Sequence, residues 1–189
     1  MKSVSISGSL RGNVGKRDAK ERRNEGLIPC VLYGGKEQQH FLVDVKQFAK
    51  LLYTPEVFYA ELNVDGTHYK AIVQETQFHT VTDKLLHVDF LEVIEGKPIT
   101  IEIPMLVKGS SPGVMRGGKL SKRIRKVKVK GLLEHIPENI TVDISSLDIL
   151  DAIEIKDIAV SNITIVDNPN KVVVIILSSR NVEEAPKAE

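Results

Sequence analysis

Apolar and polar residues alternate along most of this chain, and the period is that of β-strands. Over Ser3–Leu10, the positions Val4, Ile6 and Gly8 alternate with Ser3, Ser5 and Ser7, the pattern of a half-buried strand. Pro29–Tyr33 reads as a short buried strand ending in a glycine turn, and Phe41–Val45 as another. Phe58–Val64 and His68–Gln74 flank Asp65-Gly66, a pair suited to the type I′ hairpin turn because both central residues need positive φ. Leu86–Val93, Thr100–Val107, Arg125–Lys130 and Ile140–Ile144 are strand-like as well. Within Lys171–Leu177 the run VVVIIL is wholly apolar, which predicts a central core strand.

Helical spacing occurs in two places. Lys16–Glu25 (KRDAKERRNE) predicts a short polar helix, with Gly26 at its C-terminal end and Pro29 unable to extend it. It has almost no apolar stripe, so it is expected to be marginal alone and to order against a partner. Val45–Leu52 places Val45, Phe48, Ala49 and Leu52 at helical spacing before Pro55. Residues 94–98 (IEGKP) read as a hinge, Gly109–Gly118 as a long glycine-rich loop, and residues 181–189 as a flexible tail. The expected organisation is a first domain over 1–95 and a second, antiparallel β domain over 96–180, mainly β in class.

Composition narrows the chemistry. The chain has 189 residues, 42% hydrophobic and 27% charged, so a folded chain is expected rather than disorder. No apolar run is long enough for a membrane helix, and the N-terminus does not read as a secretory signal, so a cytoplasmic protein without a membrane partner is expected. The single cysteine, Cys30, leaves no internal disulfide framework, and its apolar neighbours predict a buried, inert thiol.

Net charge is only +1, but it is unevenly spread. Residues 1–36 hold eight Lys/Arg against three Asp/Glu, residues 116–130 hold eight basic groups and no acid, and residues 132–167 hold eight acids and only Lys156. Fields act over about 8–10 Å in physiological salt, so such blocks can make strongly positive faces on a neutral protein.

The sequence offers three candidate chemistries. Gly113–Lys119 fits the phosphate-loop spacing G-x-x-x-x-G-K, but Leu120 stands where a hydroxyl must hold magnesium, and a strand pattern follows instead of a helix. A flexible glycine loop is expected there. The five histidines lack metal-site spacing, so neither metal nor cofactor is expected. His87 and Asp89 lie two apart on a strand and so share a face, but no nucleophile motif stands nearby, and a hydrolase with a small-molecule substrate is disfavoured.

The third chemistry is nucleic-acid binding, and it fits best. Arg11, Lys16, Arg17, Lys20, Arg22 and Arg23 fall within thirteen residues, with Lys16 and Lys20 on one helical face and Lys20 and Arg23 also paired by spacing. These can neutralise backbone phosphates, which supplies affinity without sequence readout. Asp89 can accept hydrogen bonds from guanine edges or a ribose hydroxyl, His87 can donate or stack, and Tyr33 can stack or donate to a sugar. With 5% aromatic residues, stacking of single strands is disfavoured and helical RNA read by groove shape is expected.

The residues also carry a resemblance. Gly15-Lys16, ERRNEG at 21–26 and LIPCVLYG at 27–34 resemble the opening signature of the bacterial 5S-rRNA-binding ribosomal protein family, numbered twenty-fifth in the large subunit and also called the general stress protein Ctc family. His87-Val-Asp89-Phe90 is similar to that family's H-V-D-F stretch. Pro112-Gly-Val, Gly117-Gly-Lys-Leu120 and Ile136-Pro137 with Ile140–Asp143 look like the extra C-terminal domain of its long form. The resemblance implies an antiparallel N-terminal β-barrel with short helices. It implies a structural role without catalysis, with 5S rRNA and neighbouring large-subunit proteins as partners. Lys16, Arg23, Tyr33, His87 and Asp89 match the family's RNA-contacting positions, and Arg11, Lys20 and Arg22 lie in the same basic element. The block at 116–130 is expected to meet rRNA or a neighbouring protein. The rival reading is a stress-related protein-interaction module that binds RNA weakly.

Overall fold

Most of the predicted strands form, and six of them close into a barrel. The computed structural model describes residues 1–178 except 13, 36, 159 and 161, so the tail expected over 181–189 lies outside the described residues. The described residues divide into two compact units: Met1–Ile101 with Leu132–Ile136, and Glu102–Gly131 with those from Pro137 onward.

In the first unit the strands are β1 (Lys2–Leu10), β2 (Leu27–Tyr33), β3 (Gln39–Asp44), β4 (Phe58–Val64), β5 (Thr67–Phe78) and β6 (Leu85–Glu92). They close in the order β1-β3-β2-β6-β5-β4. Alternation sends Ile6, Cys30, Leu32, Phe41, Leu62 and Phe90 into the barrel, all nearly inaccessible to solvent. Phe90 is central there, with ring centroids 5.8 Å from Phe41 and 6.4 Å from Phe48. The β4–β5 hairpin turns at Asp65 (φ 45°) and Gly66 (φ 88°), the two positive values that a type I′ turn requires.

Strand direction departs from the expectation of an antiparallel barrel. β1 pairs with β4, and β2 with β6, in parallel. Alternation encodes which face of a strand is buried but not the direction of its neighbour, which depends on how the intervening chain crosses over.

Helix α1 (Lys16–Asn24) buries no residue, as its lack of an apolar stripe implies. The segment expected as one amphipathic helix is a 3-10 turn, Val45–Phe48, followed by the single turn α2 (Ala49–Leu52). The tighter 3-10 winding shifts the phase, so Phe48 is buried while Val45 and Ala49 are exposed.

The second unit holds two small sheets. One is ordered β10-β7-β9-β12, from β7 (Ile99–Lys108, whose first three residues count with the first unit), β9 (Lys126–Gly131), β10 (Ile140–Asp143) and β12 (Thr164–Ile165). The other is ordered β11-β13-β8, from β8 (Lys119–Lys122), β11 (Ala152–Glu154) and β13 (Val172–Leu177). β13 is central in its sheet, as its unbroken apolar run predicts, and buries Val173, Val174 and Ile176. β10 pairs with β7 in parallel, so this unit is not purely antiparallel either.

The expected glycine loop at 109–118 contains a helical turn, α3 (Pro112–Met115), capped by the Ser111 hydroxyl, which accepts from Val114 N–H. A Cβ added at Gly113 would lie 2.7 Å from the backbone at Asp148 and Ile149. Close packing, rather than a phosphate, accounts for a glycine at that position.

Candidate nucleic-acid interface

The parallel seam between β2 and β6 places the candidate groups on the outside of the barrel. Register pairs Val31 with Asp89 and Tyr33 with Leu91. Because Cys30, Leu32, Val88 and Phe90 point inward, Tyr33, His87 and Asp89 point out. His87 Nδ1 lies 2.6 Å from Asp89 Oδ1, and each side chain keeps 25% of its surface exposed. The carboxylate accepts the Nδ1 proton, which leaves Nε2 directed elsewhere as an acceptor in the neutral ring or a donor in the charged one. The Tyr33 phenol is held above its ordinary pKa, first by burial and then by the negative charges of Asp89 and Glu75. It is therefore a protonated donor at neutral pH.

Glu75 and Gln77 were not singled out from the sequence. Continuing the inward alternation of Ala71 and Val73 would bury Glu75. A register shift between Val73 and Glu75 inserts Gln74, so that Val73 still faces Phe90 while Glu75 lies opposite Asp89 and Gln77 opposite His87. The acidic residue in an otherwise inward phase is the only sequence signal of that bulge. The outer face thus carries two neighbouring carboxylates, an imidazole, an amide and a phenol.

Helix α1 is tied to the barrel by polar bonds. Arg23 Nε donates to the Leu86 carbonyl at 2.9 Å, one residue before His87. Arg11 sends Nε and Nη2 to Asp18 Oδ2 at 2.8 and 2.7 Å, and Nη2 also donates to the Gly15 carbonyl. Its side chain is only 8% exposed. Arg22 bridges Glu25 at 2.9 Å and Asp18 at 3.5 Å, and Arg17 pairs with Glu21.

The eight residues singled out from the sequence therefore separate into groups. Lys16 and Lys20 are exposed cations with no ion pair among the described residues. Arg22 is half-exposed and shared between two carboxylates. The Arg11 side chain is largely buried and Arg23 is half-buried, each by its contacts within the protein. Tyr33, His87 and Asp89 form the barrel-face cluster.

Other chemistries find little support at this face. Among the described residues no cluster of three metal-ligating side chains occurs. Cys30 is inside the barrel with Sγ directed at the Ile28 carbonyl, and burial together with the Asp89 charge pushes its thiol pKa far up. It is not a nucleophile for the His87–Asp89 pair.

Comparison with known proteins gives a consistent result along the chain. Residues 6–90 match the family model described as the Ribosomal L25p family, and residues 98–180 match that of the ribosomal protein TL5 C-terminal domain. A protein named large ribosomal subunit protein bL25 from Porphyromonas gingivalis is 42% identical over 182 residues, 95% of each chain. Proteins of the same name from Amoebophilus asiaticus and Bacteroides fragilis are 38% and 36% identical. The first covers 95% of this chain and 92% of the relative, the second 100% and 98%.

Proposed function

The chain belongs to the ribosomal L25p family, in a form that carries a TL5-type C-terminal domain, and from this we propose that it binds 5S rRNA through the outer face of its barrel. It is a structural, non-enzymatic component of the large ribosomal subunit and resides in the ribosome. The observation that carries the RNA reading is the juxtaposition of a cation-bearing helix with the Tyr33, His87, Asp89 and Glu75 face, joined through the Arg23 bond to Leu86.

Lys16 and Lys20 engage phosphates, with Arg22 adding charge as it exchanges one of its carboxylate partners. Arg11 has its guanidinium committed to Asp18 and Gly15, and positions the helix instead of touching RNA. Arg23 has a similar positioning duty through Leu86.

Carboxylates repel phosphates, so Asp89 and Glu75 are suited to the groove, where guanine amino groups and ribose hydroxyls donate. His87 holds Asp89 in place and offers Nε2, while Tyr33 donates from its phenol. A wide, shallow RNA minor groove presents those partners to a convex barrel face.

The test is binding of the full-length chain to purified 5S rRNA across a salt series, with generic duplex RNA as comparison. The reading expects log affinity to fall linearly with log salt, the slope counting phosphate contacts. Asp89→Ala is expected to lose most of the preference for 5S rRNA with little change in slope. Equal affinity for 5S rRNA and generic duplex in the parent chain would defeat the reading.

A further inference from the structure

We propose that the solvent face of β9 is a second RNA-docking surface, separate from the barrel site, which takes the sugar-phosphate backbone of a helical RNA. Six cations, Lys122, Arg123, Arg125, Lys126, Lys128 and Lys130, fall within nine residues with no acid among them, and all six are exposed. Within β9, Val127 and Val129 are buried at 1% and 0% exposure. Alternation therefore lines Lys126, Lys128 and Lys130 along the outer face, about 6.6–6.8 Å apart at the rise of a strand. That spacing lets three ammonium groups each reach a different phosphate of one strand.

Three observations separate this row from an ordinary solvated face. First, lysines commonly guard exposed sheet edges against pairing. β9 lies between β7 and the short β12, which together with Val166 and Asp167 covers Lys128–Lys130 though not Lys126, so the edge such lysines would guard is mostly occupied. Second, the row is almost uncompensated. The one ion pair reaching these six cations among the described residues is Lys128 to Glu102, at 3.9 Å. By contrast Arg116, in the same basic block, is bound to Asp148 at 2.7 Å. Third, like charges on one face of a sheet repel and cost stability. An external polyanion would relieve that repulsion.

The occupant is chosen by chemistry. Phosphates on a regular backbone match a regular row of ammonium groups, and lysine binds phosphate as a point charge without demanding bidentate geometry. Beside the row lie Thr164, paired with Lys130, Val166, whose N–H donates to the Lys128 carbonyl, and Asp167, whose carboxylate accepts from Lys128 N–H at 2.8 Å and pairs with Lys171. Thr164 and Val166 add no groups that would read base edges, and the Asp167 carboxylate is taken up by its contacts within the protein. The surface therefore supplies affinity and orientation without sequence readout. An acidic protein is the competing occupant, and the test separates the two.

The decisive measurement places a photo-crosslinker on the full-length Lys128→Cys chain assembled into large ribosomal subunits. Cys30 is buried and does not compete for the label. Crosslinks to RNA are expected. Crosslinks confined to protein, or none, would overturn the proposal.

A second arm titrates the full-length Lys126→Gln/Lys128→Gln/Lys130→Gln chain with duplex RNA, beside Lys16→Gln/Lys20→Gln. The β9 variant is expected to lower the salt slope by about 2–3, at about 0.9 per phosphate contact, and to weaken binding at least tenfold at low salt. The triple Lys→Arg chain should retain the parent slope. An unchanged slope, or an effect seen with polyglutamate in place of RNA, would also overturn the proposal. Because the Lys16/Lys20 variant reports on the barrel site separately, failure of one surface does not imply failure of the other.

Discussion

Asp18→Ala should release helix α1 while leaving the barrel intact. Asp18 is the acceptor for Arg11, whose side chain is 8% exposed, and it is itself 23% exposed. Exposed ion pairs contribute about 0.2–1 kcal/mol. Breaking a fully buried pair by removing one partner costs about 3–5 kcal/mol. The Arg11–Asp18 pair lies between these limits, so a loss of about 2 kcal/mol is expected. Arg22 loses a 3.5 Å contact as well but keeps Glu25.

The helix buries no residue, so this loss falls on local opening and not on global unfolding. At about 1.4 kcal/mol per factor of ten, the opening constant rises roughly 30-fold. Hydrogen exchange reads it directly. The amides of Ala19 and Glu25, bonded to Gly15 and Glu21 carbonyls, should lose protection by about that factor, while those of Val88 and Phe90 in β6 should not. The double variant Arg11→Met/Asp18→Leu should cost less than Asp18→Ala, because it leaves no unpaired charge. Equal loss of protection in barrel and helix, or an unchanged helix, would refute the idea that α1 is held by polar anchors.

Phe90→Ala removes the ring shared by Phe41 and Phe48 and should cost about 3–5 kcal/mol in denaturant unfolding of the barrel. Gly113→Ala drives a methyl into the backbone at 148–149 and should destabilise the second unit by about 1–3 kcal/mol in a thermal melt, with no effect on RNA binding by the barrel. The Tyr33 phenol has a raised pKa in the folded chain. Its contribution to stability is fully present below the unfolded value of about 10 and is lost as pH rises through the folded one. Spectrophotometric titration should show one late-ionising phenol that disappears in Tyr33→Phe, and loss of an early-ionising phenol instead would contradict the assignment.

Legibility followed the range of the interactions involved. The hairpin at Asp65-Gly66, the apolar core strand at 172–177, the polar helix ending before Gly26 and the inward burial of Cys30 all depend on neighbours a few residues away, and all could be read along the chain. The short strands β8, β11 and β12 could not, because two to four residues carry too little periodic signal. The turn α3 was hidden in a glycine-rich stretch whose helical state depends on the Ser111 cap and on packing against 148–149.

For the candidate interface, the sequence alone determined the two local features: a cation-dense helix, and a histidine and an aspartate sharing one strand face. Only the tertiary structure decided which of those residues are left exposed and which are bonded within the protein. Arg11 and Arg23 looked equivalent to Lys16 and Lys20 until the fold gave Arg11 a partner in nearby Asp18 and Arg23 one in the distant Leu86 carbonyl. Glu75 joined the face through one inserted residue in β5, which inverts the phase of everything beyond it. Side-chain alternation is a local property, whereas strand direction, the β5 bulge and the Arg23–Leu86 bond are settled by which distant segments meet when the barrel closes.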